Sequence, residues 1–430
     1  MKSFVPNADN SAFSLANLPY GVFSDAADPS PRPCLRIGDH VLDLRAVEAA
    51  GLLRSTTLGQ ERVFDAATLN RFMSKPHTAW RSVRARLQAI LAADNAELRD
   101  NATLREKTLV PMSRVQMHLP VEIGDYTDFY SSRQHAFNVG TMFRGPENAL
   151  MPNYLHIPVG YHGRASTVVL SGTPIRRPSG QTKADNDPAP KFGPSQRLDF
   201  ELEMGVFLGG PDNAWGEPIP MDRVEERLFG MVILNDWSAR DIQAWEYQPL
   251  GPFLSKNFAT SISPWIVPFE ALAAFRVAPP AQEPKPFAYL LRERDVAEQP
   301  AAGWSYDIAL EVALSTAKQP LPQTICRSNH RHLYWTVAQQ LAHHSITGCR
   351  MRAGDLLGSG TISGPTEDSY GSMLELAWRG TKPIKMQSGE ERRFLHDGDS
   401  VVMSASCRSA DGQTRIGFGE CVGTIVPARG

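Results

Sequence analysis

Two periodicities run through the chain, and the period of two dominates. Residues 198–204 read Leu-Asp-Phe-Glu-Leu-Glu-Met, with acidic and apolar positions in strict alternation. Such alternation predicts a strand with Asp199, Glu201 and Glu203 on one face, neighbours there lying roughly 6.5–7 Å apart. Like charges so spaced favour a cation between them, although on an exposed edge strand they are simply solvated. Further extended runs are predicted at 167–170, 198–208, 231–235, 306–314, 355–357, 373–378 and 400–405. Near the start, 33–37 and 40–44 flank a Gly38-Asp39 turn and predict a hairpin. Helical spacing is rarer. Val83, Leu87, Ile90 and Leu91 predict a helix over about 79–93, a second amphipathic helix falls at about 330–345, and a short one follows Trp237. In that short helix Ser238, with Asp241 three positions on, reads as the N-cap.

Residues 109–120 are extended and bounded by proline, which places a junction between a first unit, 1–117, and a second, 118–430. With 33 glycines and 33 prolines spread along 430 residues, many turns and short strands are expected, and the second unit reads as a mostly β, α+β domain. The formal net charge of −2 excludes a bulk field that would draw the chain to nucleic acid or an anionic membrane. The five cysteines form no CxxC pair, which fits reduced thiols and offers neither a disulfide framework nor a zinc site. No apolar run approaches the roughly 20 residues of a membrane span, and the first residues lack a signal pattern. The expectation is a soluble, cytoplasmic protein.

Chemistry concentrates after residue 121. Asp128 and His135 stand seven apart in an aromatic, Ser-rich stretch, where a histidine is either catalytic or an ordinary hydrogen-bonded one. Arg144 follows, able to meet an anionic substrate or a structural carboxylate. An apolar strand ends at Asp236, and beyond it Arg240, Gln243 and Tyr247 share one helical face, an oxygen-anion surface or a solvated one. Lys256 is a lone charge in an apolar, turn-rich segment and needs a partner in space; Thr260 lies nearby. Glu375 sits within the apolar run 373–378, where an ionised carboxylate also wants a partner. The Gly-rich segment 354–364 matches neither a Walker loop nor GxGxxG, though amides near Gly360 and Thr361 suit a carboxylate. His330, His332, His343 and His344 form no HExxH pattern and read as structural. Asp128, Glu201, Glu203 and Asp236 are four carboxylates without a thiolate, a donor set that selects hard cations such as Mg²⁺ or Ca²⁺. Spacing alone does not bring them together.

The motifs Gly124-Asp-Tyr-Thr-Asp-Phe-Tyr-Ser-Ser132 with His135, Val159-Gly-Tyr-His-Gly-Arg164, Asp199-Phe-Glu-Leu-Glu-Met204, Asn235-Asp-Trp-Ser-Ala-Arg-Asp241 and Ser359-Gly-Thr-Ile-Ser-Gly364 closely resemble the fumarylacetoacetate hydrolase family. The resemblance runs in register over nearly the whole chain. It implies an N-terminal SH3-like small barrel, a C-terminal mixed β-sandwich roll and a homodimer. It implies hydrolytic carbon–carbon cleavage of a dicarboxylate diketone, fumarylacetoacetate, to fumarate and acetoacetate, the last step of tyrosine and phenylalanine degradation. Carried over residue by residue, it implies that Asp128, Glu201, Glu203 and Asp236 bind Mg²⁺ and/or Ca²⁺, with Lys256 and Thr260 in the same site. His135 is then the base and Glu375 its orienting partner. Arg240, Gln243 and Lys256 stabilise the oxyanion, and Tyr130, Arg144, Gln243, Tyr247 and Thr361 contact the substrate. Two other readings stay open: the same metal site serving decarboxylation, hydration or isomerisation of a related acid, and a calcium-stabilised domain without turnover.

Overall fold

The structure, a computed structural model, describes residues 2–184, 186–292 and 304–429. The fold is mostly β. The hairpin forms as expected, Arg32–Ile37 pairing with His40–Asp43, and lies inside a five-stranded antiparallel sheet that also holds Tyr20–Asp25. Residues 109–120 are extended but do more than join two units. Leu109–Pro111 and Val115–His118 form the two edges of that sheet and complete a small barrel-like unit. The helix His77–Leu91 begins two residues earlier than its apolar spacing indicates, because Pro76 precedes it and fixes the entry.

The rest of the chain builds a curled mixed sheet of eight strands and a second sheet of five. In the larger sheet Leu202–Leu208 lies between Leu356–Gly358 and Leu228–Asp236, antiparallel to both, while Tyr126–Phe129 runs parallel to Leu356–Gly358. Side-chain parity assigns the two faces. Leu202, Met204, Val206 and Leu208 enter the core shared with the five-stranded sheet, where fully buried Trp237 seats against Gly423. Phe207, Val232, Leu234 and Tyr126 face a second core, built with Tyr20, Phe72 and Trp80 of the N-terminal part. A reciprocal pair of backbone hydrogen bonds between Tyr20 and Ile266 (2.8 and 2.9 Å) fastens the two parts along this seam.

Four expectations are corrected. The acidic–apolar stretch 198–204 is not one continuous strand: Leu198–Asp199 and Leu202–Leu208 share a single antiparallel register but are interrupted at Phe200 and Glu201. The interruption arises because the Glu201 amide donates to the Asn235 side chain (3.1 Å) and the Leu202 amide to the Gly371 carbonyl (2.8 Å). Residues 373–378 are not a strand. Met373–Leu376 is a helical turn, its first amides accepted by Ser372 Oγ and by the Asp199 carboxylate (2.7 and 3.0 Å), and positive φ at Trp378 and Arg379 ends it. Ser238 does not cap the helix after Trp237: it pairs with Asp199 in a short ladder, and the helix is Arg240–Glu246. Asp241 accepts instead from Ser195 Oγ and the Gln196 amide (2.5 and 2.7 Å). The helix expected at 330–345 is shortened to Val337–Ser345, because Thr336 and Gln339 form a capping box there.

Candidate active site

Four carboxylates converge at one end of the larger sheet. Asp128 and Asp236 are the near-terminal and terminal positions of their strands, Glu203 lies one strand over, and Glu201 precedes it at the interruption. One oxygen from each lies within 4.8 Å of the others. All four are buried, so the acidic face of 198–204 is not solvated. Gly358 makes the approach possible: a Cβ there would stand 2.7 Å from Asp128 Oδ1 and 3.1 Å from Glu203 Oε2.

The cluster is partly neutralised. Lys256 Nζ donates to Glu201 Oε2 (2.5 Å) and Asp236 Oδ2 (2.7 Å), and Arg240 Nη2 lies 2.7 Å from Glu201 Oε1. Thr260 Oγ1 donates to Asp236 Oδ1 (2.9 Å), Tyr161 OH to Asp236 Oδ2 (3.1 Å), and the Gly360 amide to Glu203 Oε2 (3.1 Å). The amide at Gly360 thus holds one of the protein's own carboxylates. Burial drives the Glu201 pKa upward, but the Lys256 and Arg240 cations outweigh it and hold this carboxyl below the usual range. Burial likewise opposes the Lys256 ammonium, yet Asp236, Glu201 and Asp128 raise its pKa above the ordinary lysine value. Asp128 and Glu203 go the other way. Burial, then repulsion from neighbouring carboxylates, pushes both well above the carboxylate range. Asp128 Oδ1 and Glu203 Oε1 are buried with no hydrogen-bond partner among the described residues. Two desolvated, unpartnered oxygens beside two paired carboxylates form a site short of positive charge. An all-oxygen set of this kind fits a hard divalent cation.

The second feature is a histidine held by a carboxylate. Ser132 caps the helix Arg133–Arg144 by accepting from the His135 amide (3.2 Å), which places the imidazole in the first turn. His135 Nδ1 meets Glu375 Oε2 at 2.6 Å. Asn138, one turn further on, donates to Glu375 Oε1 (2.8 Å), and Ser363 and Ser372 hydroxyls both donate to Oε2 (2.9 Å each). Burial would raise the Glu375 pKa, but His135 and these donors more than offset it and the carboxyl stays low. With Nδ1 engaged, Nε2 is the nitrogen left for the cavity that His135 lines.

That cavity, about 470 Å³, joins the two features. Asp128, Glu201, Arg240 and Lys256 border it on the carboxylate side, and Tyr130, Arg144, Gln243, Tyr247 and Thr361 border it elsewhere. Glu203, Asp236, Thr260 and Glu375 stand behind this wall and act on it through their partners. Gln243 Oε1 accepts from Arg240 Nη1 (3.1 Å), Arg144 is tied to the carbonyls of Asn148 and Ala149, and Thr361 Oγ1 is buried with no partner among the described residues. Sequence reasoning missed Tyr161, Asn138, Ser363 and Ser372. Asn138 left a signal, standing three residues after His135 on the same helix, and Tyr161 and Ser363 fall inside two of the motifs that carry the resemblance. His344 and His343 are structural, bonded to Thr127 (2.8 Å) and Tyr289 (3.0 Å).

Fold and site together define a β-roll protein with a buried cluster of four carboxylates able to hold a cation and a carboxylate-oriented histidine facing one cavity. Residues 125–426 match the fumarylacetoacetate hydrolase C-terminal model, and 16–120 match the fumarylacetoacetase N-terminal model. The chain belongs to the fumarylacetoacetate hydrolase family. It is 54% identical to the fumarylacetoacetase of Rattus norvegicus and 52% to that of Homo sapiens, in each case over 427 residues and 99% of both chains. The solved fumarylacetoacetate hydrolase of Exiguobacterium antarcticum shares the fold, with a TM-score of 0.51 at 15% identity over 96% of this chain and 100% of that one.

Proposed function

We propose that this protein hydrolyses fumarylacetoacetate to fumarate and acetoacetate, with His135 as general base. The observation that carries the reading is the His135–Glu375 pair opening onto the same cavity as the carboxylate cluster. Glu375 fixes the proton on Nδ1 and favours the imidazolium that forms when Nε2 takes a proton from water. The water oxygen then bonds to the carbonyl carbon of the fumaryl end. Charge developing on that carbonyl oxygen meets Arg240, Gln243 and Lys256, an arrangement whose single donors typically contribute about 10²–10³ in rate. As the carbonyl re-forms, the bond to the central methylene breaks and its electron pair passes into the neighbouring ketone as an enolate, which takes up a proton to give acetoacetate. Tyr130, Arg144, Gln243, Tyr247 and Thr361 hold the substrate. Asp128, Glu201, Glu203 and Asp236 would hold Mg²⁺ or Ca²⁺, supported by hydrogen bonds from Lys256 and Thr260. When bound, such an ion would supply Lewis acidity to this reaction.

The relatives named fumarylacetoacetase support this substrate, and the same kinship supports a cytoplasmic homodimer. No described helix is long and apolar enough to cross a membrane. Purified protein given fumarylacetoacetate is expected to yield the two acids in equal amounts; release of CO₂, or an isomer in place of two acids, overturns the reading. Glu375→Gln is expected to lower kcat about 10- to 100-fold with little change in KM, because the amide no longer fixes the imidazole tautomer. A pure KM defect in steady-state kinetics would instead assign Glu375 to binding.

A further inference from the structure

One carboxylate next to the cavity has no part in the mechanism above. Glu246 is the last residue of the helix Arg240–Glu246, where an acidic side chain opposes the helix dipole. It forms no ion pair among the described residues. Its oxygens instead gather three consecutive backbone N–H groups: Phe253 (2.7 Å) and Ser255 (2.9 Å) donate to Oε1, and Leu254 (3.0 Å) donates to Oε2. Successive amides converging on an anion form a nest, and charge-assisted bonds of this kind are about twice as strong as neutral ones.

Both ends of the nested segment lead into the site. Lys256 follows Ser255 directly, its amide bonded to the Phe253 carbonyl (3.1 Å) and its ammonium spanning Glu201 and Asp236. On the other side Tyr247, Leu250, Gly251 and Pro252 line the cavity. Leu250 is 96% exposed, and Gly251, at φ +94°, turns the chain back toward the nest. The same helix carries Arg240 and Gln243. A single side chain therefore ties the helix that carries Arg240 and Gln243 to the segment that delivers Lys256 and one cavity wall.

We propose that Glu246 is a positioning residue for the reaction: by gripping the amides of Phe253, Leu254 and Ser255, it sets the Lys256 ammonium and the wall 250–252 against the substrate. This inference rests on the hydrolytic reading of the site. Small misplacements of a group near the chemistry cost rate more than affinity. Glu246→Ala is expected to lower kcat about 10-fold or more with KM changed less than about 3-fold, while the thermal midpoint moves little. Hydrogen exchange across 247–255 should quicken about 10-fold or more in the same variant. Glu246→Gln keeps the shape and one acceptor oxygen, and should fall between it and the parent in both readouts. Unchanged exchange, or quickened exchange with unaltered kcat, overturns the proposal; so does a loss of kcat matched by an equal loss of thermal stability and KM. Failure of the hydrolytic reading is seen separately, as absence of turnover in the unsubstituted protein.

Discussion

His135→Ala leaves a folded, cation-binding protein whose turnover of fumarylacetoacetate falls by about 10²–10⁴-fold or more, the usual worth of a positioned general base. The fold survives because the variant does not strand Glu375. Asn138, Ser363 and Ser372 still donate to its carboxylate, so the buried charge keeps three of its four partners. The imidazole itself leaves a gap beside Tyr130, whose ring meets it edge-on at 5.2 Å between centroids. Imidazole supplied in solution can enter that gap from the cavity, and the variant's rate is expected to rise with its concentration. Binding of a non-hydrolysable diketone should be nearly unaffected, because Arg144, Gln243 and Tyr247 are untouched. Single-turnover kinetics with and without imidazole, beside calorimetric binding, check all three. A variant that retains near-parental turnover removes His135 as the base.

The donors of this site were legible in the sequence for different reasons. Carboxylates without a thiolate select a hard cation on chemistry alone, and period two correctly put Glu201 and Glu203 on one face. Whether that face met water was not legible, because it depends on strands contributed by Asp128 and Asp236 and on Lys256, residues far away in the chain. Glu375 illustrates the limit more sharply. A short apolar run does not distinguish strand from helix, and the helical turn at 373–376 exists because Asp199, 174 residues earlier, accepts its first amide. Asp199 shares the period of Glu201 and Glu203 and ends in a different role, bonded to Arg240 Nε at 2.8 Å and to that turn. Tyr161 stands beside His162 in the motif 159–164. Adjacent strand residues face opposite ways, and the pairing of Asp128 with Tyr161 puts the tyrosine, not the histidine, on the side of the carboxylates.

Removing divalent cations is expected to abolish turnover, and adding Mg²⁺ or Ca²⁺ to restore it; full activity in thoroughly chelated protein would defeat the role assigned to the cluster. The same ions should also act on stability, with a sign that the carboxylates fix. In the ion-free protein Asp128 and Glu203 titrate above their ordinary values of 3.8 and 4.5. A carboxyl whose folded pKa is raised contributes stability that is present below its unfolded pKa and is lost as pH rises through the folded value. The electrostatic penalty of ion-free protein therefore grows as pH rises through the folded values, and an ion has more to offset there. At acid pH the protons already occupy those oxygens and must be displaced. The gain in thermal midpoint on adding ion should thus grow from acid toward neutral pH, and calorimetric binding should release protons. At a free ion concentration of about 100 Kd the stabilisation amounts to about 2.7 kcal/mol. Glu203→Gln removes one of the three raised carboxyls of the cluster, Asp128, Glu203 and Asp236, but keeps the side chain's shape. It should weaken ion binding, flatten this pH dependence and lower turnover together. An ion effect on stability that is unchanged in Glu203→Gln, or that grows toward acid pH, would place the cation elsewhere.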